Sequence, residues 1–183
     1  MKPDLVIRRY KKSDAVPVGI LIAETYGNFN LPGMTPEKRA AMLGPFVYAQ
    51  SSTQEHREAI AEAIEAPSVW VAEADGEIAG VLRGGRTDHL GRTVLSSLFV
   101  SGKYHRQGIG RALVERFEAE YQAKGVSVFK LSATLFAVPF YLNAGYKKST
   151  GVRCMHSFEE DGLPYWPMKK VIKQERTYAR STD

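Results

Sequence analysis

The sequence predicts a single α/β domain on a mixed, mostly antiparallel sheet with flanking helices. Three observations carry the prediction. The N-terminal third reads as helices, residues 68–101 read as three consecutive strands, and the strand–helix–strand succession over 93–133 implies a crossover between parallel neighbours.

Taken in order, LVIRRY at 5–10 reads as a first strand, and Ser13 and Asp14 are N-cap candidates for a helix reaching Tyr26. The stretch 27–33, GNFNLPG, is turn chemistry, and Thr35, Pro36 and Glu37 supply the cap, first turn and acidic start of a second helix. Thr53 caps a third helix over 53–66, where Ile60 and Ile64 share one apolar face. After Pro67 the texture changes to two β-rich runs flanking Asp75 and Gly76, the pair that supplies positive φ in a tight hairpin. A third strand follows at 93–101. Leu113, Val114, Phe117 and Tyr121 recur at helical spacing until Gly125, and 126–133 is a further strand. A short helix at 137–143 and closing strands at 145–150, 151–158 and 164–172 complete the domain, assigned to residues 1–173 with a polar tail at 174–183 that is expected to fray.

Composition bounds the function. The chain has 183 residues, 44% hydrophobic, 25% charged and 10% aromatic, which suits one globular domain burying roughly 70% of its unfolded surface. No apolar run approaches the ~20 residues of a membrane span, and the N-terminus lacks the apolar core of a secretory signal. One cysteine, Cys154, excludes an internal disulfide, so a cytoplasmic protein without a membrane partner is expected. The net charge of +5 suits an anionic small ligand. Nucleic acid is disfavoured as a partner, because Lys11 with Lys12 and Lys169 with Lys170 are isolated doublets without an RNA motif or finger spacing. His56, His89, His105 and His156 lack ligand spacing, and Cys154 with His156 lacks two further ligands, so no metal is expected. Cys154 is read as a small buried hydrophobe.

Two segments can carry chemistry. In SLFVSGKYHRQGIGRALV, Gly108 and Gly110 open a helix directly after a strand, where free N–H groups and the helix dipole form an anion site beside Arg106 and Arg111. The expected guest is a phosphate or pyrophosphate. The dinucleotide fingerprint fails, since its third small position is Leu113, and there is no GxxxxGK[ST] run. The second segment, SATLFAVPFYLNAGYKK, leads from a strand through Phe140 and Tyr141 to Gly145 and Tyr146. There Tyr141 can donate a proton, while Phe140 and Tyr146 read as packing residues.

Together these segments resemble the GCN5-related N-acetyltransferase (GNAT) family: LFV and RQGIGRALV, then A-x-x-FY-x-x-x-GY, with element order matching across nearly the whole chain. The resemblance implies an acyl-CoA N-acyltransferase fold whose splayed central strands admit pantetheine, with acetyl-CoA as cosubstrate and a small-molecule or peptide amine as acceptor. It places the loop that holds the CoA pyrophosphate at His105, Arg106, Gln107, Gly108, Ile109 and Gly110, with Arg111 following. Leu98, Phe99 and Val100 correspond to the strand end that pairs with pantetheine, with the Val100 N–H near the thioester carbonyl. Tyr141 matches the family's general acid.

The sequence departs from the family at three points. His105 stands at the first loop position, Thr134 replaces a frequent asparagine, and Ser96 and Ser97 stand where many members carry a glutamate. A lysine-like amine, pKa about 10.4, must lose a proton to attack. Glu24, Glu73, Asp88 and His89 are candidate bases. No credible nucleophile is present, which implies direct attack in a ternary complex. A non-catalytic acyl-CoA sensor on the same fold is the alternative, and a homodimer is left open.

Overall fold

The computed structural model describes residues 4–154 and 163–173. Period-two apolar runs form strands β1 (Leu5–Arg9), β2 (Ser68–Ala74), β3 (Glu77–Thr87), β4 (Arg92–Val100), β5 (Val128–Thr134), β6 (Lys147–Lys148), β7 (Arg153–Cys154) and β8 (Pro164–Val171). The helical-period segments form α1 (Ala15–Phe29), α2 (Pro36–Leu43), α3 (Gln54–Ile64), α4 (Ile109–Gln122) and α5 (Val138–Asn143). The strands join one sheet in the order β1-β2-β3-β4-β5-β8-β6, with β7 also on β8, and only the β4–β5 pairing is parallel. The hairpin between β2 and β3 turns on Asp75 and Gly76, with φ of 52° and 80°, the two consecutive positive values expected of that dipeptide.

One irregularity organises the sheet. β4 and β5 pair only through Arg92, Thr93 and Val94 opposite Val128, Phe129 and Lys130. Beyond that point β4 continues on β3 to Val100 while β5 continues on β8 to Thr134. The two parallel strands therefore part, leaving a wedge that widens toward their C-terminal ends. Splayed central strands were expected from the family resemblance, and the pairing pattern shows them.

Helices cover both faces. On one, α4 packs Ile109, Leu113, Val114, Phe117 and Tyr121 into a core with Leu82, Leu95, Phe129 and Leu131. On the other, α1 and α3 set Val18, Leu21, Ile22, Ile60 and Ile64 on Val69, Val71 and Val81. Phe117 and Phe129 are fully buried, and burial of this kind contributes about 1.5–3 kcal/mol per large side chain.

Several local expectations are corrected. Helix α1 runs on through Phe29, so the turn chemistry begins only at Asn30; Gly27 is buried and Phe29 stacks on Phe136, and this packing outweighs turn propensity. Asp14 sits at the N-cap of α1, but its carboxylate bonds the Arg8 guanidinium and the Lys11 N–H. Thr53 is the N-cap of α3 as expected, but its hydroxyl bonds Ser51 and no helical N–H, whereas Thr35 does accept from the Lys38 N–H. Cys154 is exposed on the short strand β7 and is not a core residue. The outer part of the strand expected at 151–158, His156 and the tail at 174–183 lie outside the described residues. Among the described residues no helix is long and apolar enough to cross a membrane, and no cluster of three or more potential metal ligands occurs.

Candidate active site

The wedge is bordered on one side by the tip of β4, the loop 101–108 and the first turn of α4. Gly108 is the N-cap of α4 in the left-handed region at φ 86°, and a Cβ built there would meet nothing within 4 Å. Gly110 differs: its Cβ would lie 3.2 Å from the Phe140 ring, so this glycine lets α5 press onto the first turn of α4. Arg106, at φ 62°, is a non-glycine residue in left-handed backbone, which marks the loop as strained. No side chain caps α4, whose first intrahelical bond runs from the Ala112 N–H to the Gly108 carbonyl. The N–H groups of Ile109, Gly110 and Arg111 therefore precede the helical ladder.

The loop side chains divide. Arg106 and Gln107 are exposed, and Gln107 Nε2 donates to the Lys103 carbonyl at 3.1 Å. Arg111 is exposed and pairs with Glu115 one turn on at 3.0 Å. His105 Nε2 lies 2.9 Å from the Val100 carbonyl oxygen; since a carbonyl only accepts, that nitrogen carries the hydrogen. The bond ties the loop back to the strand end, and Phe29 of α1 packs between the His105 and Phe136 rings with centroids 4.7 and 5.3 Å away. At the strand tip, Leu98 and Val100 pack toward α4, whereas Phe99 faces α1 and meets Tyr26 edge-on.

The other border is the tip of β5 and α5. Tyr141 is buried, 6% exposed, with its ring edge-on to Phe140 and Tyr146. Burial pushes the Tyr141 phenol well above its ordinary value, so it is a protonated donor at neutral pH. Tyr146 packs as its motif suggested, and its hydroxyl also donates to Glu118 Oε1 at 2.8 Å, while Glu118 Oε2 accepts from Lys170 Nζ at 2.7 Å. This buried network joins α4 to β8 and was not apparent in the sequence, because Glu118 is one of several glutamates on a helix whose apolar face is defined by other residues.

The candidate bases are spread out. Glu73 pairs with Arg8 at 3.0 Å. Asp88 and His89 lie in the turn before β4, at the opposite end of that strand from Val100. Despite the opposing effect of burial, Asp88 is held well below the usual carboxylate range by hydrogen bonds from Arg92, the Leu90 N–H and Lys130. Glu24 is exposed on α1. Sequence reasoning also passed over Arg83, a charge inside the otherwise apolar run between Ile78 and Gly85, and that interruption was the available signal.

Comparison with known proteins agrees with this geometry. The model of the acetyltransferase (GNAT) domain family matches residues 32–172. A Danio rerio protein described as probable N-acetyltransferase 14 is 35% identical over 120 residues, 60% of this chain, which spans 43% of that protein's length. The fold is similar to a GCN5-related N-acetyltransferase from Rhodopseudomonas palustris, at TM-score 0.69 and 17% identity over 94% of this chain and 97% of that one. It is also similar to the PaiA N-acetyltransferase of Thermoplasma acidophilum, solved with coenzyme A, at TM-score 0.68 and 17% identity over 92% of this chain and 99% of that one. With the family model covering most of its length and the parted strands in place, the chain belongs to the GNAT acetyltransferase family.

Proposed function

We propose that this chain transfers the acetyl group of acetyl-CoA to a primary amine by direct attack in a ternary complex. The observation that carries the reading is the wedge between β4 and β5, with the uncapped first turn of α4 on one border and the buried phenol of Tyr141 on the other.

The anion-holding side follows from helix electrostatics. The N–H groups of Ile109, Gly110 and Arg111 form the positive end of the α4 dipole, Gly108 leaves the approach open, and Arg106 and Arg111 add charge. Together with His105 and Gln107 in the loop, they are the residues that would hold the CoA pyrophosphate. Leu98, Phe99 and Val100 lie on the length of β4 that has left β5, which offers backbone groups to an extended pantetheine amide chain. Acetyl-CoA supplies an activated thioester. The Val100 N–H is proposed to steady the developing oxyanion, a contribution of roughly 3–4 kcal/mol for one such donor.

The proton inventory completes the step. The amine attacks as its neutral form, having lost its ammonium proton to water; its lone pair forms the new C–N bond, the C–S bond breaks with its electron pair on sulfur, and Tyr141 gives its proton to that thiolate. The nitrogen releases a proton through water, and the tyrosinate is reprotonated. Burial keeps the Tyr141 phenol protonated, so its proton is present when the thiolate forms and it does not act as a resting base.

Thermal unfolding of the purified chain with acetyl-CoA, CoA, ATP and NAD side by side tests the cofactor assignment. Saturation at 100 times Kd adds about 2.7 kcal/mol, and each kcal/mol raises Tm by about 2–4 °C. Stabilisation by both CoA species, reduced by Arg106→Glu or Arg111→Glu, supports it; no shift at millimolar CoA overturns it.

A further inference from the structure

Strand β3 crosses the middle of the sheet, and Arg83 is its one charged residue between Glu77 and Arg86. Alternation fixes which face it takes. Leu82 belongs to the α4-side core, and a Cβ on Gly80 or Gly84 would meet Leu113 or Phe117 of α4 at 3.0 and 3.1 Å. Val81 belongs to the core under α1 and α3, so Arg83 takes that second face, with Val69 of β2 and Ser97 of β4 as its partners in register.

The sheet is irregular at this point. Arg83 is opposite Ser97 but Gly84 is opposite Leu95, which leaves Ser96 unmatched; Arg86 is opposite Val94, which leaves Gly85 unmatched. The two glycines are required, since a Cβ on Gly84 would lie 2.5 Å from the Val94 carbonyl oxygen and Gly85 has φ 106°. Such bulges re-aim neighbouring side chains and gather beside binding sites.

At this bulge two polar atoms stand without partners. Arg83 Nε and Ser97 Oγ are both shielded from solvent and neither has a hydrogen-bond partner among the described residues. Arg8, Arg9, Arg92 and Arg111 each face a carboxylate, and the buried Glu118 and the half-buried Glu120 are fully engaged, but no described carboxylate pairs with Arg83. Burial alone lowers its proton affinity. Arg83 as a whole is only half-buried, but its shielded Nε is a buried unpaired donor, and such an atom calls for a reason. The planar fork of arginine matches a carboxylate or phosphate bidentately.

Position supplies the rest. Ser97 lies beyond Val94, on the part of β4 that has left β5, and on the face opposite α4. The pair thus borders the wedge on the side away from the pyrophosphate loop, the side left for a second substrate. We infer that Arg83 and Ser97 form an oxyanion-binding site, and that the acceptor amine carries a carboxylate or phosphate received there by the guanidinium and the hydroxyl. This rests on the acetyl-transfer reading for the identity of the ligand as acceptor; the anion site itself does not.

The test uses the full chain saturated with CoA, so that the α4 terminus is filled, and titrates it with succinate and with inorganic phosphate, following thermal unfolding. Wild type is expected to be stabilised by one of them, and whichever acts identifies the carboxylate or the phosphate source. Arg83→Gln is expected to weaken that anion by about tenfold or more and Ser97→Ala by about threefold, with CoA affinity within about twofold. With amine acceptors in matched pairs, 4-aminobutyrate or 3-aminopropyl phosphate against butylamine, Arg83→Gln raises KM for the anionic member and leaves butylamine unchanged. Arg83→Met is expected to melt at or above wild type, because the side chain has no protein partner to lose. Equal anion binding by wild type and Arg83→Gln, no binding of either anion by wild type, or a lowered Tm for Arg83→Met without loss of anion binding overturns the site. Anion binding that depends on Arg83 in a chain that binds no CoA keeps the site and removes the acetyl-transfer reading instead.

Discussion

Strands β4 and β5 behave differently along their own length. At their roots Asp88 accepts from the N–H groups of Leu90 and Arg92 at 3.0 Å each, from Arg92 Nε at 2.8 Å and from Lys130 Nζ at 3.3 Å, so one carboxylate clasps both strands where they pair. Toward their tips the strands separate, and the polar groups nearby lack such partners: the leading N–H groups of α4, the Arg83 Nε and the Ser97 Oγ. The buried Glu118 and the half-buried Glu120 lie in the second half of α4, away from its N-terminus. The contrast teaches that the two halves of the sheet are joined at fully bonded roots, while the tips keep polar groups without protein partners among the described residues.

The largest effect that would sharpen the contrast is at the tips. Tyr141→Phe is expected to lower kcat by about 100- to 10,000-fold while leaving CoA affinity and Tm near wild type, because a protein role for the hydroxyl is absent among the described hydrogen bonds. Steady-state kinetics with calorimetric CoA titration checks it, and unchanged turnover removes Tyr141 from the chemistry.

Substitution in the buried network should do the reverse. Glu118→Ala strands the Lys170 ammonium, whose ion pair is 2.7 Å long with Glu118 only 4% exposed, and is expected to cost about 3–5 kcal/mol. A calorimetric Tm lower by roughly 2–4 °C per kcal/mol checks it, with partial recovery in Glu118→Met with Lys170→Met.

A third effect is pH-dependent. Burial pushes the Glu120 carboxyl up, but hydrogen bonds from Lys124, Ser68, Arg9 and Trp70 overcome this and bring it down to about 2. A depressed carboxylate stabilises the fold above its unfolded pKa, and that contribution is lost as pH falls from about 4.5 toward 2. About 3 kcal/mol is at stake. Glu120→Gln should flatten the stability profile across that window, and unfolding curves measured every half unit would show a steep fall in wild type alone.

The smallest effect belongs to an exposed member of the root clasp. Lys130 is 39% exposed, and Lys130→Ala is expected to cost less than about 1 kcal/mol, a loss that added salt reduces further. Denaturant unfolding in low and high salt measures it.

The tips were legible because their chemistry is local. A glycine that opens a helix after a strand, and a tyrosine four residues past the alanine that starts the short helix after the next strand, are short-range patterns, and the structure brings Gly110 and Phe140 into contact across them. The root was less legible. Asp88 looked like a candidate base, and only the pairing of Arg92 with Val128 brings Lys130 to the same carboxylate. The end of α1 was misjudged because GNFNLPG carries turn propensity, and the contacts that extend the helix to Phe29 come from residues over seventy positions away.

The sequence by itself determined the order and type of the elements, the Asp75 and Gly76 hairpin and the family, because periodicity, turn residues and short motifs are properties of neighbouring positions. Tertiary structure alone decided where β4 and β5 part, which acids are engaged, and that Arg83 and Ser97 stand opposite each other at a bulge with the Arg83 Nε and Ser97 Oγ unpartnered among the described residues. These depend on strand register and on side chains arriving from distant segments, and a one-residue slip of register would turn every one of them to the other face.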